Sequence, residues 1–392
     1  MVVPWHGLEF PSFFSNTSNT SSLIVEILIF FLAFLAAHSF RPERSAKVLG
    51  MKAIRIHEHG GLDKLVFEDV PVPLIGPNDV LVGVKATSIN HLDIWVRQGL
   101  PGVTFPLPMI PGVDAAGIVA DVGSEVRHVR SGDRVVVAQG ISCGHCKQCL
   151  NGQDNLCKDY RLIGEHRDGG DAEYISVPSR NILALPEKVS FESAAATALV
   201  FLTAWQMLVD RANVKPGEDV LIHGAGSGVG SAGIQIAGMM GARVIATTGS
   251  DAKAAKALEL GADDVINYRS QNVLSEVRRL TEKKGVDVVF DHVGVAVWEE
   301  SIKALSKGGR LVTCGATSGY EAKTDLRYVF YKQLQILGST MGKKGDLQTI
   351  LKLIERGILK PVIDRVLPLA QAREGHRIVE AGEQFGKIVL IP

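Results

Sequence analysis

Val220-Leu221-Ile222-His223-Gly224-Ala225-Gly226-Ser227-Gly228-Val229-Gly230 is the stretch that decides the fold. Val220 to His223 reads as a short buried strand. The glycines that follow open an amphipathic helix running from Gly230 to Met240. Glycine lets the backbone turn tightly and approach a pyrophosphate, whose charge then meets the free N–H groups and positive dipole end of the helix. A plain strand-to-helix turn also uses glycine. What favours dinucleotide binding is the order strand, loop, helix, followed by further units of the same kind.

Downstream, strands are expected at Arg243–Thr247, Asp264–Asn267, Asp287–Asp291, Arg310–Cys314 and Gln335–Ser339. Helices lie between them at Ala252–Leu260, Val273–Thr281 and Val297–Leu305, and one long apolar helix precedes the set at Phe191–Val209. Such alternation implies a doubly wound parallel sheet with helices on both faces, an α/β fold. Upstream the period changes to two: Asp79–Ile89, Gly117–Val122 and Asp133–Val137 alternate and are punctuated by Gly and Pro, as in a small barrel or sandwich. After residue 340 come a helix at Asp346–Arg356, a strand near Val362–Leu367, a helix near Gln371–Ala381 and a last strand, Gly386–Ile391.

The chain has 392 residues, enough for two or three domains. Lys plus Arg and Asp plus Glu both number 42, and this zero balance argues against a nucleic-acid binder. Residues 1–50 stand apart. Leu23 to Ala37 is apolar except for Glu26, yet fifteen helical residues reach only about 22 Å against a hydrocarbon core of about 30 Å. No positive region precedes it, and the basic residues Arg41, Arg44 and Lys47 follow it. The stretch is expected to be a translated leader or an extension ahead of a start at Met51, in an otherwise cytoplasmic protein. Membrane contact through 23–37 is the alternative, and the flanking charges would then keep the main chain in the cytoplasm.

The end of the second strand of the dinucleotide unit should choose the cofactor. Ala246-Thr247-Thr248-Gly249-Ser250 carries no carboxylate at its tip. A carboxylate about 4 Å from a 2′-phosphate would repel it by about 4 kcal/mol per unit charge at an effective dielectric of ~20. Ser250 and Lys253 are therefore expected to receive that phosphate, favouring NADPH over NADH, although Ser250 and Asp251 also suit a helix cap. Tyr268 is counted with the cofactor-binding candidates, as are Ser227, Gly228, Val229 and Gly230.

Cys143, Cys146, Cys149 and Cys157 form a Cys-x2-Cys-x2-Cys-x7-Cys run. Four thiolates on one short loop are the closed tetrahedral set of a structural zinc. The fifth cysteine, Cys314, falls in an expected buried strand, so two disulfides are the weaker reading.

Together, the barrel-like first half, the four-cysteine lobe, the glycine loop and the returning C-terminal strand resemble the medium-chain dehydrogenase/reductase superfamily. The resemblance spans about Met51 to Pro392, nearest to zinc-binding alcohol-dehydrogenase-like and quinone-oxidoreductase-like members. It implies a GroES-like β-barrel substrate domain at 51–190, with a zinc lobe at 140–160. A Rossmann domain would fill 191–340, and 341–392 would return to the first domain. It also implies that Thr203 and the Gly315-Ala316 turn face the nicotinamide. The superfamily's alcohol dehydrogenases hold a catalytic zinc through positions that here are Asn90, Val113 and Leu199, none a credible ligand. Their proton-relay positions are Leu92 and Trp95.

Without a Lewis acid, oxidising an unactivated alcohol is hard, whereas hydride transfer to a quinone or a polarised C=C needs less. The expected activity is therefore an NADPH-dependent reductase of quinones or α,β-unsaturated carbonyls, with Asn90 and Asp93 as catalytic candidates. Asn90 would offer a free amide N–H to the acceptor's oxygen, or would only satisfy loop backbone. Asp93 and Asp114 would pair with backbone or with a cation such as Arg97. Two alternatives stay open: an alcohol or aldehyde dehydrogenase with a rearranged metal site, and a non-catalytic NADPH-binding protein. A homodimer joined through the edge strand 335–339 is expected.

Overall fold

The computed structural model describes residues 50–392, so Leu23–Ala37 and its basic flank lie outside the described residues. Two sheets organise the chain. Six parallel strands run in the order Asp264–Asn267, Arg243–Thr248, Asp219–Ile222, Val286–Asp291, Leu305–Thr313, Gln335–Gly338. Strand order reverses between Asp219–Ile222 and Val286–Asp291, and ligands of open α/β sheets bind at the crevice outside such a switch point. Val220, Leu221 and Ile222 are wholly buried, worth roughly 1.5–3 kcal/mol each for their removal from water. That burial explains why the strand that leads into the glycine loop is uninterrupted apolar sequence.

The second sheet has seven strands. Ile363–Pro368, Lys387–Ile391, Asp79–Ser88, Ala116–Val122, Arg134–Val137 and Ile182–Ala184 follow in order, and Tyr174–Pro178 pairs with Asp79–Ser88. The chain's last strand thus lies antiparallel to Asp79–Ser88, with Val389 opposite Ser88. This join brings residues from both chain ends to one place. The architecture is a GroES-like barrel beside a Rossmann sheet.

The fifth strand of the parallel sheet begins at Leu305 rather than Arg310, the strands Leu65–Pro71, Tyr174–Pro178 and Ile182–Ala184 were not expected, and the helices differ as well. The long helix at 191–209 is broken into Phe191–Ala195, Val200–Trp205 and a π-helical turn at Gln206–Arg211. A buried carboxylate interrupts the ladder: Asp114 Oδ1 accepts the Leu199 N–H at 3.0 Å. The π turn closes with the Ala212 N–H on the Met207 carbonyl. Helices at His91–Gln98 and Leu326–Lys332 were not anticipated. Both are under three turns long, too short for a 3.6-residue period to stand out. Among the described residues, no helix is long and apolar enough to cross a membrane.

Candidate active site

A cavity of about 480 Å³ opens between the two sheets. The glycine loop forms one wall. Ser227 caps the helix Gly228–Met239, its Oγ accepting the Gly230 N–H at 2.8 Å. Gly224 adopts φ +62°, a conformation that favours glycine. A Cβ on Gly230 would come within 2.3 Å of the Gly224 carbonyl oxygen, and one on Gly228 within 2.7 Å of the Lys387 side chain. First-turn amides have no intrahelical acceptor, so this helix start is a ready cradle for an anion. Ser227, Gly228 and Val229 line the cavity, and Gly230 sits just behind them in the first turn.

Thr203 and Gly315 line the same cavity, and Ala316 follows, packed against Gly294. The Thr203 hydroxyl is buried without a hydrogen-bond partner among the described residues. A buried polar atom left unpaired at a cavity wall is what a ligand's amide or hydroxyl would satisfy. Together with the amide cradle, it shows that these residues fit a nicotinamide dinucleotide.

At the far end of the loop, Ser250 caps the helix Asp251–Glu259 through the Lys253 N–H. Asp251 is held by Asn267 Nδ2 at 2.7 Å. The Lys253 ammonium donates to the Gly382 carbonyl of the returning segment, and Lys253 also lies beside Gly226. Tyr268 is 54% exposed, its hydroxyl next to Gly249.

The floor of the cavity corrects the sequence reading. Asn90 has no free amide. Its Nδ2 donates to Asp114 Oδ2 at 2.7 Å and to the Ser88 carbonyl at 3.2 Å, while its Oδ1 accepts from Lys387 Nζ. The carboxylate on one side and the ammonium on the other fix which way the amide points. Asp93 is buried beneath the wall and does not line the cavity. Its two oxygens accept the backbone N–H groups of Asn90, at 2.7 Å, and Val113, at 3.2 Å. Arg97 is not its partner, since that guanidinium bonds Glu380 and the Gly60 carbonyl. Burial, and then the nearby Asp171, holds the Asp93 carboxyl well above the usual carboxylate range.

Sequence reasoning missed Lys387 and His292. Lys387 Nζ donates to the Ile89 carbonyl at 2.7 Å and lies 3.5 Å from Asp114 Oδ2. A lysine opening the otherwise apolar Lys-Ile-Val-Leu-Ile strand was the available signal. His292 Nε2 lies 2.9 Å from the His223 carbonyl and 3.2 Å from Ser227 Oγ, which ties the crevice to the glycine loop. Burial pushes its pKa down to about 4, so the ring is neutral near pH 7. Its position just past a strand end at the switch point was the signal. Cys314, expected inside a strand, lies just beyond one and lines the cavity.

None of the superfamily's catalytic-zinc positions fits the metal. Asn90 is committed as above, Val113 is wholly buried and apolar, and Leu199 offers only an alkyl chain. Among the described residues, one cluster of His, Cys, Asp or Glu could hold a metal, the sulfurs of Cys143, Cys146, Cys149 and Cys157, all within 4.8 Å of one another. Tetrahedral zinc with bonds of about 2.3 Å spaces its sulfurs about 3.8 Å apart, so this set fits. Cys143–Cys149 measures 3.9 Å and Cys146–Cys149 3.5 Å, and none of the four is in a disulfide. Backbone N–H groups of His145 and Cys146 lower the Cys143 thiol to about 6, favouring the thiolate that zinc takes.

Comparison with known proteins agrees with this geometry. Residues 76–187 match the alcohol dehydrogenase GroES-like domain and residues 228–356 the zinc-binding dehydrogenase domain. Human quinone oxidoreductase is 30% identical across 87% of this chain and 98% of its own length. An NAD-dependent alcohol dehydrogenase of Sulfurisphaera tokodaii is 32% identical across 87% of this chain and all of its own. A crystal structure of an NAD-dependent alcohol dehydrogenase superposes with a TM-score of 0.84 at 50% identity, covering 87% of this chain and 100% of that one. With an amide cradle for a nicotinamide dinucleotide and full-length relatives of both kinds, the chain belongs to the medium-chain dehydrogenase/reductase superfamily of oxidoreductases.

Proposed function

We propose that this enzyme is an NADPH-dependent reductase that delivers hydride to a quinone or an α,β-unsaturated carbonyl without a catalytic metal. The observation that carries the reading is that Asn90 and Leu199, which line the cavity, and Val113, wholly buried behind it, stand at the positions the resemblance gives to catalytic zinc and cannot coordinate it. The bound dinucleotide would supply the hydride. The chain's part is to hold it at Ser227, Gly228 and Val229, to leave Thr203 for its polar head, and to orient the acceptor against Gly315. The absence of a carboxylate at the strand tip supports NADPH; Ser250, which caps its helix, and Lys253, which donates to the Gly382 carbonyl, would have to turn to a 2′-phosphate. The quinone oxidoreductase relatives support the acceptor class.

A second reading is favoured by the 50% identity to the crystal structure of an NAD-dependent alcohol dehydrogenase: oxidation of an alcohol with NAD. One assay separates the two. Turnover of NADPH with simple quinones and enones, unaffected by a chelator, supports the reductase. Chelator-sensitive oxidation of alcohols with NAD overturns it, and dinucleotide binding without any turnover would make the protein a cofactor sensor.

Two further features belong to the proposal. The four cysteines would hold a structural zinc, closed to substrate because all four positions are protein sulfur. A homodimer would pair the edge strand Gln335–Gly338, where Ile336 is 42% and Phe330 of the preceding helix 71% exposed. A monomer by sedimentation at micromolar concentration would overturn that assembly.

A further inference from the structure

We propose that a second cavity, at the edge of the parallel sheet remote from the cleft, binds a small anion that carries a diphosphate group. The cavity measures about 750 Å³ and is lined by seven basic side chains and no acidic one. The chain as a whole balances 42 basic against 42 acidic residues, so this concentration is local. Gly285 and Leu305, where two strands of the sheet begin, lie in its wall, whereas His292 and Cys314, just past the far ends of the same strands, line the cleft. A six-residue strand at about 3.3 Å per residue keeps the two places roughly 20 Å apart. None of the lining residues belongs to the edge strand Gln335–Gly338.

Three of the cations are matched by carboxylates that do not line the cavity: Arg279 by Glu276 at 2.8 Å, Lys284 by Asp287 at 3.3 Å and Lys303 by Glu299 at 2.7 Å. Arg278, Lys283, Lys307 and Lys332 form no ion pair among the described residues. Lys332 Nζ donates to the Lys303 carbonyl at 2.9 Å and the Leu305 carbonyl at 2.6 Å, which leaves one N–H. Burial, and then Arg278, lower its pKa. Arg278 and Lys332 are thus like charges within reach of each other, a repulsion that a bound anion relieves. Helix ends explain part of the cluster. Val273–Leu280, Val295–Ala304 and Leu326–Lys332 all end at the cavity, and basic residues complement the roughly half unit of negative charge at a helix C-terminus. That covers Arg278, Arg279, Lys303 and Lys332. It does not cover Lys283 and Lys307, which lie outside the helices. Lys283 is placed there at φ +69°, uncommon for a residue other than glycine. With the three carboxylates and three helix ends counted, roughly two to three positive charges remain. A diphosphate group matches that surplus, since its terminal phosphate alone carries about −1.5 to −2 near pH 7. A nucleic-acid strand would need a basic stripe along the surface, whereas these cations line one hollow.

The test uses the full chain saturated with NADPH, so that the glycine loop is already filled. Calorimetric titration with inorganic diphosphate should show one site per chain, at least about tenfold tighter than sulfate. Lys283→Asn combined with Lys307→Gln should weaken diphosphate at least about tenfold, asparagine being chosen because it tolerates a left-handed backbone. Both side chains are exposed, and the double arginine variant at the same positions should bind as wild type. The NADPH Kd of either variant should stay within about twofold of wild type, given the separation of the two places. ADP separates the sources of the diphosphate. Tyr331, 69% exposed with Lys307 Nζ 5.1 Å from its ring centroid, offers a stacking face. Tighter binding of ADP than of diphosphate, lost in Tyr331→Leu, supports a nucleotide; equal binding supports a diphosphate without a base. Sulfate as tight as diphosphate, an unchanged affinity in the Lys283→Asn, Lys307→Gln chain, or tighter binding of a single-stranded octanucleotide would each overturn the assignment. Should that chain fail to fold, the wild-type preference for diphosphate over sulfate decides.

Discussion

Gly230→Ala tests the dinucleotide site at its tightest point, and Gly238→Ala, eight residues along the same helix, is its control. A Cβ at Gly230 would sit 2.3 Å from the Gly224 carbonyl oxygen and 2.9 Å from both the Gly224 carbonyl carbon and Ser227 Oγ. A carbon–oxygen contact settles near ~3.3 Å, so the helix start must retreat from the loop by about 1 Å. Backbone cannot swing aside as a side-chain tip can, and overpacking of this kind costs about 1–3 kcal/mol. At Gly238 a Cβ meets nothing within 4 Å, and the position is exposed in the last turn of the helix. Replacing glycine by alanine there should gain about 0.5–1 kcal/mol. Thermal melting should therefore move down for Gly230→Ala and slightly up for Gly238→Ala, by about 2–4 °C per kcal/mol at most in a chain of this size. Dinucleotide fluorescence titration should show at least a tenfold weaker Kd for Gly230→Ala, because a 1 Å retreat carries the first-turn amides off the phosphate. Gly238→Ala should bind as wild type. Wild-type melting and wild-type affinity in Gly230→Ala would refute the argument.

Elemental analysis should find one zinc per chain, and Cys149→Ser should lose it and lower the melting temperature with little effect on hydride chemistry; two zincs per chain would contradict a metal-free cleft. Lys253→Ala should weaken NADPH at least tenfold, about 1.4 kcal/mol, and leave NADH within twofold; equal losses would remove Lys253 from 2′-phosphate recognition. His376 is buried with neither ring nitrogen paired, and burial lowers its pKa from 6.5 to about 3. For a base whose folded pKa is depressed, the unfolded chain binds the extra proton below pH 6.5. Its contribution to stability is thus constant above pH 6.5 and falls as pH drops from 6.5 toward 3, by about 2 kcal/mol at pH 5. His376→Leu should shrink the stability difference between pH 8 and pH 5 by that amount in urea titrations, and an unchanged difference would refute the assignment.

The Rossmann half was legible because its signals are local. Strands such as Asp219–Ile222 carry short apolar runs, and the glycine loop marks its own turn. The four cysteines lie within fifteen residues of one another, so their grouping is also a local pattern. What stayed hidden depends on contacts distant in sequence. The break at Ala196–Leu199 cannot be read from 191–209, which is helical by composition. It exists because Asp114, 85 residues earlier, takes the Leu199 N–H. The short helix Leu326–Lys332 has no buried residue and so no apolar stripe to announce it.

Asn90 shows why a site can be located from sequence while its chemistry is misread. A carboxamide is donor at one end and acceptor at the other, and residue type does not say which end faces the cleft. Here that is decided by two charges that the chain brings from opposite directions. Asp114 arrives from 24 residues away and claims the N–H₂ group, and Lys387 arrives from 297 residues away and claims the oxygen. Lys387 reaches Asn90 only because the last strand pairs with Asp79–Ser88, Val389 lying opposite Ser88. The same pairing buries the Lys387 amine beside Asp114, where burial lowers its pKa and the nearby carboxyl groups, Asp114 first, act against that shift. Such an arrangement is costly to break from either side, since losing one partner strands the other's charge in low dielectric. The returning segment therefore does more than complete the barrel. It supplies the cleft's only buried cation among the described residues lining the cavity, and it turns the nearest amide from a donor toward substrate into the support that holds that cation in place.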